Sequence, residues 1–72
     1  MKIVAIKPPY IKLGQLLKLL DLIDSGGAEK TFISQHLIKV NEVPETRRGR
    51  KIYPGDKVAI DQQVYQVNLN ED

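Results

Sequence analysis

The feature that most constrains the fold of this chain is a change of hydrophobic period at Leu37. Upstream, Leu13, Leu16, Leu17, Leu20 and Ile23 recur at the i, i+3, i+4, i+7 spacing of one helical face. Leu19 and Leu22 are expected to broaden that face. Downstream, Ile38 and Val40, then Val58 and Ile60, then Tyr65, Val67 and Leu69 recur at every second residue, as in half-buried strands. A helical first half followed by strands reads as α+β, with a helical hairpin packed on a small, mainly antiparallel sheet. At 72 residues the chain is expected to form one domain, residues 1–72, with a small core.

Turn residues punctuate this pattern. Residues 2–6 (KIVAI) read as a short strand that Pro8 and Pro9 end, since neither can donate to a ladder. Gly14 weakens the first helix locally and would let another segment approach closely. Asp24-Ser25-Gly26-Gly27 stops that helix and starts the next, expected over Gly26–His36 with Ser25 as its N-cap. Ala28, Phe32 and Ile33 are expected to face inward, and Glu29, Lys30 and Ser34 to face water. NEVPE, residues 41–45, holds a turn and a proline, so pairing there belongs at a sheet edge. Tyr53-Pro54-Gly55-Asp56 fits a type II turn, with Pro at i+1 and Gly at i+2.

Composition excludes several classes. The chain has no cysteine, so disulfides and thiolate metal sites are ruled out, and a small domain without disulfides is expected to be cytoplasmic. MKIVAIKPPY has four apolar residues in a row before Lys7, too few for a signal-peptide core or a membrane span. No cofactor site, metal-ligand spacing or Ser/His/Asp set is apparent. The pair Asp21 and Asp24 is commonplace at a helix end, and His36 is most simply a helix-end residue. Catalysis is therefore not expected.

The net charge is only +2, yet four of the five residues from Arg47 to Lys51 are cationic. In a regular strand Arg47, Gly49 and Lys51 would share one face, and Arg48 and Arg50 the other. Cations on both faces cannot be buried without partners, so the segment is expected to stand exposed as a loop or edge ribbon. A polyanion would relieve the repulsion among them and release counterions. The bland reading is a solvated loop in which Glu42, Glu45 or Asp56 pairs with some of the arginines, a weak interaction at a surface. A nuclear-import address is a weaker alternative, because the run lies between expected strands.

Ser25-Gly26-Gly27 points the same way. A helix N-terminus with free N–H groups, two glycines and Lys30 one turn on suits an anion. By itself the pair of glycines is better explained by a tight interhelical turn.

LGQLLKLLDLIDSGGAEKTFISQHLIKVNE followed by ETRRGRKIYPGDKV resembles the S4 RNA-binding domain. The carriers are the helix–turn–helix with S-G-G-x-x-K, the I-K-V-N strand and the R-R-G-R-K…P-G-D run. The likeness is strongest over residues 11–60, and a strand ahead of the first helix is similar to the short stand-alone bacterial YaaA/YbcJ group. The resemblance implies an S4-like αL-motif fold and an L-shaped face that lies against structured RNA. It carries that face onto Ser25, Gly26, Gly27, Lys30, Lys39, Asn41, Arg47, Arg48, Arg50 and Lys51. The implied partners are ribosomal RNA or ribosomal particles, in ribosome assembly or translation, with the protein a monomer. Two positions depart from the family's usual glycines. His36 is expected to end its helix in a left-handed conformation, and Glu42 puts the turn and the role of Asn41 in question. Tyr53, the nearest aromatic, either packs at its turn, the better-supported reading, or stacks on a base.

The alternatives are a protein-interaction adaptor, with the basic run docking an acidic partner, and a DNA-binding accessory protein, since phosphate contacts carry no sequence information.

Overall fold

The computed structural model describes residues 1–24 and 27–70. Strand β1 (Lys2–Ile6) is followed by the short strand β2 (Ile11–Lys12) and helix α1 (Leu13–Leu19). Helix α2 (Ala28–Gln35) leads into β3 (Ile38–Val40), β4 (Val43–Pro44), β5 (Lys51–Ile52), β6 (Lys57–Ile60) and β7 (Gln63–Leu69). Five strands form one sheet in the order β1-β7-β6-β3-β4, and β2 pairs with β5 in a separate two-stranded ribbon. Only the β1–β7 pair is parallel; β7–β6, β6–β3 and β3–β4 are antiparallel. This is the α+β architecture expected of the chain, with a mixed sheet.

The core forms where the two hydrophobic periods meet. Leu13, Leu16 and Leu17 of α1 and Ile33 of α2 pack with Ile38, Val40, Val58, Ile60, Tyr65 and Val67. Ile52 of the ribbon is fully enclosed in the same cluster. Each large aliphatic side chain so buried stabilises the fold by roughly 1.5–3 kcal/mol. Phe32 and Ala28 pack against the cluster as half-buried residues, as their inward assignment anticipates. Among the described residues no helix is long and apolar enough to cross a membrane.

Helix α1 is shorter than its periodicity suggests. Asp21 takes a left-handed conformation (φ 61°) and closes a Schellman motif: its N–H donates to Lys18 C=O, and that of Leu22 to Leu17 C=O. Leu20 and Ile23 still reach the core, Ile23 from beyond the helix. Leu19 and Leu22 do not broaden the apolar face; both are exposed. Leu19 stands roughly 120° around the helix axis from the centre of that face, and Leu22 falls after the stop. Helix α2 starts at Ala28, with Gly27 as N-cap in a right-handed conformation. The expected cap Ser25, and Gly26, lie outside the described residues. His36 ends the helix in an extended conformation (φ −129°), not a left-handed one. Its ring stacks on Phe32 at 3.9 Å between centroids, and its Nδ1 lies 2.7 Å from Asp61 Oδ2. Asp61 Oδ1 also accepts the Leu37 N–H, so the β6–β7 turn anchors the end of α2.

The β3–β4 turn answers the question raised by Glu42. Asn41 and Glu42 both have positive φ, 51° and 71°, and connect Val40 directly to its partner Val43. Two left-handed residues between paired strands make a type I′ connection, for which Asn-Gly is the preferred pair. Asn41 suits its place, whereas Glu42 is strained by its Cβ. Replacing Glu42 by Gly should therefore stabilise the fold by about 1 kcal/mol. For a domain of this size that is a rise in melting temperature of about 4–8 °C, measurable by calorimetry, with Glu42→Ala giving no comparable gain.

Candidate nucleic-acid interface

The basic run begins at a buried carboxylate. Glu45, only 7% exposed, follows the edge strand β4 and donates its N–H to Ile38 C=O. Its Oε2 accepts from the backbone N–H groups of Thr46 and Arg47, and from Arg47 Nε at 3.0 Å. Its Oε1 accepts from Arg47 Nη2 at 3.0 Å and from Arg50 Nη1 at 2.7 Å. The side-chain hydrogen bond from Arg47 and that from Arg50 hold the Glu45 carboxyl well below the usual carboxylate range, against the opposing effect of its own burial. Of the three acids weighed as partners for the arginines, Glu45 is the one that binds them.

The loop is then stitched to helix α1. Leu13 N–H donates to Arg50 C=O at 2.8 Å, and Gly14 N–H to Arg48 C=O at 2.9 Å. These are N–H groups at the start of a helix, which have no partner within it. The loop supplies the missing acceptors, and its backbone is fixed against α1 while Arg47, Arg48 and Lys51 stay exposed. Arg48 and Arg50 lie ahead of β5, so they do not share a face of a regular strand. Arg50 joins Arg47 around Glu45, and among the described residues neither Arg48 nor Lys51 makes a side-chain ion pair.

Gly14 has the close neighbour that its sequence position suggested. A Cβ there would collide with the Glu29 carboxylate. Glu29 thus turns toward α1, not toward water, and pairs with Lys18 at 3.4 Å. The first turn of α2 thus meets α1 through Glu29 at Gly14, whose N–H holds the loop, and Gly27 and Lys30 are exposed. A Cβ at Gly27 would meet nothing within 4 Å.

Lys39 and Asn41 are placed differently. Lys39 lies on the sheet face opposite Ile38 and Val40, lining a groove with Asn41, Lys57 and Ala59. That groove shares no residue with the one beside the basic loop. The Asn41 side chain is occupied: its Oδ1 accepts Lys57 N–H at 2.9 Å and its Nδ2 donates to Asp56 Oδ1 at 3.0 Å. Asp56 Oδ2 accepts Tyr53 N–H, and Asp56 N–H donates back to Tyr53 C=O across the Pro54-Gly55 turn, where Gly55 has φ 99°. Asn41 and Asp56 therefore tie two turns together.

Sequence reading passed over the ribbon of β2 and β5. Ile11 pairs with Ile52 and Lys12 with Lys51. Next along the ladder, the rings of Tyr10 and Tyr53 lie 5.6 Å apart at 52°, and Lys51 Nζ sits 5.1 Å from the Tyr10 ring centroid. A cation–π contact of this exposed kind contributes about 0.5–1 kcal/mol. The spacing Tyr10-x-Lys12 set against Lys51-x-Tyr53 was the available signal, visible only once the register was known. Among the described residues no cluster of His, Asp or Glu is arranged to hold a metal ion.

Comparison with known proteins supplies independent information. The S4 domain family profile matches residues 4–68. A relative named "Probable ribosome maturation protein RlbA", from Bacillus subtilis (strain 168), is 52% identical over 58 residues, which span 81% of this chain and 82% of that protein.

The Glu45 geometry separates the arginines by role. Arg50→Ala should lower stability by about 1–3 kcal/mol, because it leaves a buried acceptor short of a charged donor. Arg48→Ala should stay within about 0.5 kcal/mol. Since the folded Glu45 pKa is depressed, its contribution is present above the ordinary carboxylate value, about 4.3, and is lost as pH falls through the range below it. Urea titrations at several pH values should show this acid loss shrinking in Glu45→Gln, which no longer titrates.

Proposed function

Because the chain belongs to the S4 domain family, we propose that it is a non-catalytic RNA-binding protein whose basic face docks on structured RNA. Ribosomal RNA is the RNA in question in this reading, and ribosome assembly or translation the setting; the name of the similar Bacillus subtilis protein, a probable ribosome maturation protein, supports a ribosome-related setting by analogy. The protein acts as a cytoplasmic monomer in this reading. The observation that carries it is the fixed basic loop: carbonyls of Arg48 and Arg50 bound to the start of α1, with Arg47, Arg48 and Lys51 exposed. A rigid loop presents its cations without a further ordering cost, and arginine binds phosphate bidentately. The start of α2, with Gly27 and Lys30, extends the same face.

RNA helices are read largely through shape, phosphates and 2′-hydroxyls. Binding should therefore depend steeply on salt. Arg48→Gln combined with Lys51→Gln spares the Glu45 pairs and should leave the fold intact. It should make the log–log salt slope for an RNA hairpin shallower by about 1.4–1.8 units, at about 0.7–0.9 for each of the two phosphate contacts removed. Unchanged affinity and slope in this folded variant would favour the adaptor reading instead.

Gly27→Asp probes the second part of the face. The space around Gly27 admits the side chain, and a carboxylate in the first helical turn suits the helix dipole, so stability should hold. RNA affinity should fall, because the carboxylate takes the place of a phosphate. Equal affinity for variant and parent, by fluorescence anisotropy, would remove this turn from the interface.

A further inference from the structure

The ribbon of β2 and β5 has two unlike faces. Ile11 and Ile52 form a directly opposed pair, and Ile52 is fully buried. Side chains alternate along a strand, so the neighbouring pairs Lys12–Lys51 and Tyr10–Tyr53 share the opposite face. The contacts agree: the two tyrosine rings meet across the ribbon, and Lys51 reaches the Tyr10 ring on the diagonal. Lys12, Lys51 and Tyr53 are exposed.

This arrangement is costly for a protein standing alone. Like charges directly opposite each other on a sheet destabilise it, and Lys12 faces Lys51. Of the three tyrosines in the chain, Tyr65 is buried in the core, whereas Tyr53 is 47% exposed. Beside Tyr53 lies an open groove of about 640 Å³, lined also by Arg47, Gly49, Arg50, Lys51 and one acid, Asp56, whose carboxylate is held by Tyr53 N–H and Asn41. Its size is within the ~300–1,000 Å³ of clefts that hold small ligands. An anion between the lysines would remove their repulsion, and a flat π-system would cover the tyrosine.

We propose that the outer face of this ribbon binds an unpaired nucleotide of the RNA, its base stacked on Tyr53 and its phosphate held by Lys12 and Lys51. The proposal rests on the RNA-binding reading and adds a preference to it. A base within a duplex is stacked on its neighbours and offers no free face, whereas a bulged or looped base does. The arginine loop grips the backbone of any structured RNA, and the tyrosine platform selects RNA that carries a splayed base.

Two RNA hairpins test this, one fully paired and one with a single bulged 2-aminopurine. The parent protein should bind the bulged hairpin more tightly and change the fluorescence of the analogue. Tyr53→Ala should weaken the bulged complex by about 5–100-fold, the range seen for removal of one stacking aromatic, and leave the paired complex unchanged. Tyr53→Phe should keep the preference, which separates loss of stacking from loss of fold. Lys12→Gln should weaken the bulged complex more than the paired one. Equal affinity of the parent for both hairpins, or an equal loss on both in a folded Tyr53→Ala protein, would overturn the platform while leaving RNA binding in place. A parent that binds neither hairpin would overturn both readings.

Discussion

Two backbone hydrogen bonds, Leu13 N–H to Arg50 C=O and Gly14 N–H to Arg48 C=O, determine how this molecule presents its charge. A helix of seven residues is too short to persist by itself. Helix α1 exists because Leu13, Leu16 and Leu17 are driven into the core and because its first N–H groups find acceptors. Those acceptors belong to the basic segment, so the start of the helix and the loop are held by the same two hydrogen bonds. The ribbon continues the same stitching outward through Lys12–Lys51 and Ile11–Ile52, and the enclosed Ile52 fastens it to the core. Charge presentation is thus coupled to burial of apolar side chains, which far outweighs the repulsion among a few exposed cations.

Glu45 adds a second tie of a different kind. Burying a carboxylate is unfavourable unless its lone pairs are filled by donors. Here the donors are two backbone N–H groups and the guanidinium groups of Arg47 and Arg50. The pair of arginines is therefore partly neutralised in the free protein. Among the described residues Arg48, Lys51 and Lys12 make no side-chain ion pair and carry the unopposed charge on this side. Counting the cations of the run overstates what a phosphate backbone meets, and the difference lies in a residue with the wrong sign of charge.

How much of this was legible in the sequence depended on whether a residue's role was local. The strand over residues 2–6, the strand alternation after Leu37, the edge position of Val43–Pro44 and the Tyr53–Asp56 turn all follow from local pattern, and the structure has them. The early stop of α1 was hidden, because Asp21 supplies a left-handed conformation where glycine or asparagine would have announced it. Glu29 was read as a solvated first-turn acid, since nothing in its own segment reveals that Gly14 leaves a space for its carboxylate. Lys39 and Asn41 entered the candidate face by resemblance. The sheet places Lys39 on its far side and engages Asn41 in two turn hydrogen bonds. The opposition of Lys12 to Lys51 was out of reach, because register between segments forty residues apart is a tertiary fact.

The departures from local rules are unevenly distributed, and their placement bears on function. A sequence that specifies one fold keeps propensity, pairing and charge in agreement, and natural proteins depart from this mainly where something else is required. Glu42 in a left-handed turn is one such departure, and it lies away from the basic loop with no partner among the described residues that explains it. Asp21 and Asp61 are left-handed as well, at the end of α1 and in the β6–β7 turn. Three further departures gather on one side: a buried acid at Glu45, opposed lysines across a two-stranded ribbon, an exposed tyrosine beside a mainly cationic groove. Glu45 is already satisfied by its arginines, whereas the opposed lysines and the exposed tyrosine become less unfavourable against a ligand that is both anionic and flat. A phosphate offsets the lysines, a base covers the tyrosine, and the Glu45 pairs keep the arginine loop in place while both arrive. Duplex RNA would satisfy only the charged part of this surface, and an acidic protein segment would leave the tyrosine uncovered. Together these features favour a nucleic acid with at least one base out of the stack.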